Sequence, residues 1–222
     1  MKKLLIITFV IVTQMSFGQV TKSLGDFSDI KVFDKLKVIL ISSSENRAVI
    51  TGNREGEVEF VNRNGELKIR MPFPKLLSGD DITIKLYFKD IESISASEGS
   101  YVASDDKFKA TIMDLNAREG AEINIDIDVQ KVNVKAVTGG IIELSGKALN
   151  QDVVLMSGGV LNSKDLHTSQ TTTSVSAGGT AEIYATTLVD AKVRAGGSIY
   201  IYGSPKQINK ETLFGGTIVE KK

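Results

Sequence analysis

Cysteine is absent from all 222 residues, which excludes disulfides, thiolate-bound metals and thiol catalysis. It also excludes a lipoprotein-type anchor, which needs a cysteine directly after the cleavage site. Tryptophan is missing too, and the chain holds one histidine and only three prolines beside twenty glycines. A single histidine without cysteine leaves no basis for a His- or Cys-rich metal site. Few prolines and many glycines suit tight turns joined by regular strands. Neither sign of charge dominates, with 27 basic and 27 acidic residues. No basic block or aromatic-interleaved basic stripe occurs, so neither a nucleic-acid partner nor electrostatic membrane docking is expected.

The one long apolar run is N-terminal. Lys2 and Lys3, the stretch Leu4 to Val12, and the small residues Ser16 and Gly18 have the three-part form of a cleaved export signal over residues 1–18. A membrane span needs about 20 apolar residues, and this run breaks at Thr13-Gln14. The expected mature chain starts at Gln19, carries no transmembrane anchor, and works in the periplasm, at the cell surface or outside the cell.

What is present is a recurring glycine mark. Glu98-Gly99, Glu119-Gly120, Gly139-Gly140, Gly158-Gly159, Gly178-Gly179, Gly196-Gly197 and Gly215-Gly216 follow one another at steps of 21, 20, 19, 20, 18 and 19 residues. Such a period marks a stacked, one-dimensional repeat. Coils of this length are too short for helix pairs, and the leucine-rich pattern is missing. The fold expected is all-β, a parallel β-helix of about six coils over residues 91–219. Gly99, Gly120, Gly140, Gly159, Gly179, Gly197 and Gly216 are its turn column, where positive φ or close backbone approach demands glycine. No helix pattern follows any pair, which argues against a phosphate-cradling loop. Two residues beyond the second glycine the column reads Tyr101, Glu122, Ile142, Leu161, Ala181, Ile199 and Ile218, with Leu144, Ile183 and Ile201 two further on. This is the expected interior.

Residues 19–90 lack the period and form an N-terminal β region, continuous with the solenoid as one domain. Strand-like alternation runs through Leu36–Ile41, Val58–Val61, Leu67–Arg70 and Ile82–Phe88. Asn64-Gly65 favours a type I′ hairpin turn between the second and third of these. Pro72 and Pro74 interrupt pairing, and 76–81 reads as a loop.

Taken in order, the export signal, the Gly25–Val32 opening, the alternating region and the Ile94–Ser100 lead into Gly-Gly coils resemble the head GIN domain, the auto-transporter adhesin domain of exported bacterial proteins. The resemblance spans about Phe27 to Val219. It implies a right-handed, single-stranded parallel β-helix with an adhesive or surface role. It brings no assigned activity and no functional residues.

No catalytic constellation emerges. Asn124, Asp126 and Asp128 alternate with isoleucines and face outward. Counting forward places Ser145, Lys147 and Leu149 beside them, so no carboxylates converge for calcium. His167 lies in a polar loop, Lys164 to Ser169, and reads as a surface residue. No Gly-x-Ser-x-Gly elbow occurs, and no cofactor is implied. Tyr184, Tyr200 and Tyr202 point outward, with Tyr184 and Tyr202 on adjacent coils about 4.8 Å apart. They are a candidate surface for a cell-surface glycan or a protein, or an aromatic ladder supporting the sheet. The function expected is non-enzymatic: an exported adhesin or envelope-binding protein. The alternatives are a carbohydrate-active β-helix enzyme and a homo-oligomeric assembly module.

Overall fold

The computed structural model describes residues 20–221; the export signal and Gln19 lie outside the described residues. The strands are β1 (Val20–Ser23), β2 (Asp29–Val32), β3 (Lys37–Ser42), β4 (Arg47–Gly52), β5 (Glu59–Arg63), β6 (Glu66–Arg70), β7 (Ile82–Phe88) and β8 (Ser93–Ala96). Then come β9 (Tyr101–Arg118), β10 (Glu122–Val137), β11 (Ile141–Met156), β12 (Val160–Ser176), β13 (Thr180–Tyr184), β14 (Leu188–Arg194), β15 (Ser198–Tyr202), β16 (Gln207–Leu213) and β17 (Thr217–Glu220). Among the described residues the only helical element is a single 3₁₀ turn, Glu55–Glu57.

These strands form a parallel β-solenoid of about seven turns with two long faces. The tyrosine face runs β7, β3, the first halves of β9 to β12, then β13, β15 and β17. The opposite face runs β6, β2, β8, the second halves of β9 to β12, then β14 and β16. Parallel stacking thus starts at Asp29, before the glycine marks. Its order is not chain order, because β2 lies between β6 and β8. Antiparallel strands cover the N-terminal end: β4 on β7, β1 on β4, and β5 on β6 through the Asn64-Gly65 hairpin. The far end is closed differently. Lys210 and Glu220 occupy interior positions of the last coil and pair at 2.6 Å, and inward charge is a recognised guard against edge-to-edge pairing.

Each corner turn has two consecutive residues at positive φ, for example Thr138 at 49° and Gly139 at 72°. The next residue, Gly140, has ordinary φ, but a Cβ there would stand 2.2 Å from the Ala117 carbonyl oxygen. In this pair the two glycines answer separate demands, left-handed backbone at the first and close approach at the second; in the last two pairs the second glycine, Gly197 at 119° and Gly216 at 118°, meets both. Gly140, Gly159, Gly179 and Gly197 stack as expected: Val160, Thr180, Ser198 and Thr217 each donate an N–H to the glycine carbonyl one coil back, and Ile141 donates to the Ala121 carbonyl that starts the row. Gly99 and Gly120 instead take the first-glycine place, with Ser100 and Ala121 in the second. Counting from them is consequently one residue short. Tyr101 and Glu122 face outward, and the interior column is Ile84, Val38, Val102, Ile123, Ile142, Leu161, Ala181 and Ile199, each fully buried, then Ile218. Asp34-Lys35 makes the same turn without glycine, at φ 61° and 60°.

The Asp34 carboxylate is buried and accepts the Met71 and Leu77 N–H groups at 2.9 and 2.8 Å, fixing the 71–81 loop. Next in the turn row stands Glu98, followed by Glu119. Burial first, then the Asp34 charge, raises the Glu98 carboxyl above the usual carboxylate range. A raised folded-state pKa means the ionised carboxylate opposes folding above that pKa, and the penalty disappears as pH falls through it. Glu98→Gln should therefore raise the melting temperature at pH 7 and lose that advantage near pH 4. An equal gain at both pH values, read by thermal denaturation, would contradict this.

Candidate functional site

β13 and β15 pair in register, so Tyr184 lies directly opposite Tyr202, and Tyr200 opposite Glu182. Strand alternation sets the directions: Ile183, Ile199 and Ile201 fill the interior while the three half-buried tyrosines face out. Their surroundings differ. The Tyr184 ring meets the His167 ring edge-on at 4.3 Å, and its other neighbour is Gly203, where a Cβ would come within 2.8 Å of the ring. Tyr184 is thus packed into the scaffold. The Lys221 ammonium lies 4.9 Å from the Tyr200 ring centroid, a cation–π contact.

A second group, not anticipated from sequence, joins this face. Register across five coils places Asn124, Glu143, Asn162, Glu182 and Tyr200 in one outward row. The Asn124 side chain donates to one Glu143 oxygen at 2.9 Å and Asn162 to the other at 3.3 Å. The first four members of the row, without Tyr200, line a shallow hollow of ≈ 350 Å³ together with Lys164 and Asp165. The coil after Asn124 therefore does carry a carboxylate. The true step between these strands is 19 residues, so Asp126 meets Ser145 and Asp128 meets Lys147. Burial, then the Glu143 charge, raises the Glu122 carboxyl; burial, then Glu122 and Glu143, raises the Tyr101 hydroxyl. Among the described residues no three His, Asp or Glu side chains converge to hold a metal ion.

His167 is exposed as expected, but it lies within β12, opposite Lys147, rather than in a loop. A register shift between Glu143 and Ser145 moves the pairing there. The strand reads as polar because its inward positions are partly polar. Gln151, Ser163, Thr168 and Thr171 are buried and satisfy one another: Gln151 donates to Ser163 at 3.1 Å, and the Thr168 and Thr171 hydroxyls meet at 2.8 Å. Periodicity of hydrophobicity cannot reveal a strand whose interior side is hydrogen-bonded.

The arrangement offers amide donors, carboxylate acceptors and aromatic surface side by side on a rigid, open face. These are the means of recognising a hydroxyl-rich ligand. Among the described residues no helix is long and apolar enough to cross a membrane.

Comparison with known proteins agrees with this architecture. A "putative adhesin" from Bacteroides fragilis has a similar structure, with a TM-score of 0.84 at 20% identity, covering 93% of this chain and 98% of its own. A "putative adhesin" from Parabacteroides distasonis follows at 0.76 and 20%, covering 92% and 96%. A "putative lipid binding protein" from the same species superposes at 0.71 and 16%, with the same coverage. No curated protein matches the sequence. The family model described as "Putative auto-transporter adhesin, head GIN domain" matches residues 26–205, and the chain belongs to that family.

Proposed function

We propose that this protein is an exported, non-enzymatic binding solenoid that holds a hydroxyl-rich ligand, a cell-surface glycan, on its tyrosine face. One observation carries the reading: Tyr200 continues the Asn124–Glu143–Asn162–Glu182 row, with Tyr202 and Tyr184 in register beside it. Stacking against an aromatic ring and hydrogen bonding to amides and carboxylates would then act on one ligand. The family and the solenoid neighbours support adhesion as the role. The face is a ladder of side chains along an open surface, which suits holding a polymer more than enclosing a reacting bond.

Replacing Tyr184, Tyr200 and Tyr202 together by alanine is expected to reduce glycan binding at least tenfold, about 1.4 kcal/mol, measured by calorimetry against a panel of polysaccharides. Tyr200→Ala with Tyr202→Ala should retain most of the loss while sparing the melting temperature, since Tyr184 is the ring packed between His167 and Gly203. Lower stability with unchanged binding would reduce the tyrosines to scaffold. The enzymatic alternative would call on Glu122 and Glu143, two carboxyls on this face whose charges interact. Release of reducing ends by purified protein, abolished in Glu122→Gln, would overturn the non-enzymatic reading.

A further inference from the structure

The corner carrying the glycine turns has large exposed apolar side chains at its two ends. At the N-terminal end, the loop joining β6 to β7 exposes Phe73 by 86%, Leu76 by 50% and Leu77 by 51%. At the C-terminal end, the last residue of β16, Leu213, is exposed by 44%, and Phe214 in the turn that follows by 83%. Between them the first positions of the turns are Asp34, Glu98, Glu119, Thr138, Ser157, Ala177 and Ala195, polar or small throughout. Eight steps of about 4.8 Å place the two patches roughly 38 Å apart along the axis.

Neither patch is loose chain. The 71–81 loop is tied down by the buried Asp34 carboxylate through Met71 and Leu77. Arg54 adds bonds to the Ser78 carbonyl at 2.7 Å and the Ser78 hydroxyl at 3.3 Å, and Lys75 pairs with Glu57 at 2.6 Å. The loop's three large side chains are therefore held outward by a rigid frame, which lowers the entropy lost on docking. Phe214 is set in the left-handed first position of its turn, at φ 58°. The charges beside the patches are complementary. Asp80 and Asp81 follow Leu77, and among the described residues neither has an ion-pair partner; Arg194, likewise unpaired, lies opposite Leu213 in the neighbouring strand. β16 and β17 are the last described strands, paired with β14 and β15 respectively.

We propose that a second copy of this chain is the partner of both patches. Leu213 and Phe214 of one molecule dock on Phe73, Leu76 and Leu77 of the next, with Arg194 facing Asp80 and Asp81. The contact is heterologous, head to tail, so it does not close on itself at two copies. The inward Lys210–Glu220 pair at this end keeps the apolar interior out of the contact. This inference is independent of what the tyrosine face binds. Where both hold, the stack would repeat that face along its length and raise avidity.

Sedimentation velocity on the purified protein tests it. The average mass of the unaltered protein should rise with concentration past two chains. Phe73→Asp and Phe214→Asp should each remain monomeric at concentrations where the unaltered protein associates, at least tenfold weaker. Their melting temperatures should be unchanged, since both side chains are exposed; should either aspartate variant melt early, the serine variant replaces it. An equimolar mixture of the two variants retains one intact head and one intact tail, and should form dimers and nothing larger. A monomeric wild-type protein, self-association of either variant alone, or a mixture that stays monomeric would each overturn the proposal.

Discussion

Ile199→Asp is expected to abolish cooperative folding. Ile199 is fully buried, with Ala181 and Ile218 as its register neighbours on the coils to either side. An aspartate there has no cation within the apolar column, and burying an unpaired carboxylate costs several kcal/mol. Net stabilities of single domains are about 5–15 kcal/mol, so one such group removes much or all of the margin. The damage should also spread, because each coil buries its interior only against its neighbours. Urea denaturation followed by circular dichroism would show either no folded baseline or a broad transition at low denaturant. Tyr200→Asn is the control: it is the next residue, faces outward, sets no second carboxylate opposite Glu182, and should unfold nearly as the unaltered protein does. A cooperative Ile199→Asp variant with an unshifted midpoint would mean that the column faces solvent.

The second large effect separates two glycines that look equivalent in the sequence. Gly139→Ala should cost about 1 kcal/mol, the usual penalty for a Cβ in left-handed backbone, because the site itself is open, with nothing within 4 Å of the added carbon. Gly140→Ala should cost about 3 kcal/mol or more. Its Cβ would stand 2.2 Å from the Ala117 oxygen and 2.5 Å from the Ala117 carbonyl carbon. The obstacle is backbone of the preceding coil, which cannot rotate aside like a side chain, so two coils must separate and their ladder bonds lengthen. Gly159 repeats the geometry, 2.1 Å from the Ala136 oxygen, and should respond the same way. Equal midpoint shifts for Gly139→Ala and Gly140→Ala in urea would refute this division of labour.

The same pairs show how far sequence alone could reach. Period, strand alternation and turn type are local properties, written in residues a few positions apart. They specified a parallel solenoid, the Asn64-Gly65 hairpin, the interior column of the later coils and the outward direction of Tyr184, Tyr200 and Tyr202. Where the local signal is ambiguous, the count slips. Glu98-Gly99 and Glu119-Gly120 show one glycine of the two, and nothing nearby says which. Asp34-Lys35 shows none, because aspartate and lysine adopt the left-handed pair in a frame that holds the Asp34 carboxylate.

Only the tertiary structure decided which residues meet across coils. Glu143 lies beside Asn124, and Glu182 beside Tyr200, because register depends on the true step between strands and on irregularities such as the one between Glu143 and Ser145. One slipped residue turns every side chain to the other face. The placing of β2 between β6 and β8 was likewise beyond local reading, since the order of stacking is chosen by packing between distant segments. So too was the alignment of Phe73 with Phe214 along one corner. Short-range chemistry determines the shape of each coil, and the order and register of stacking determine what each face presents.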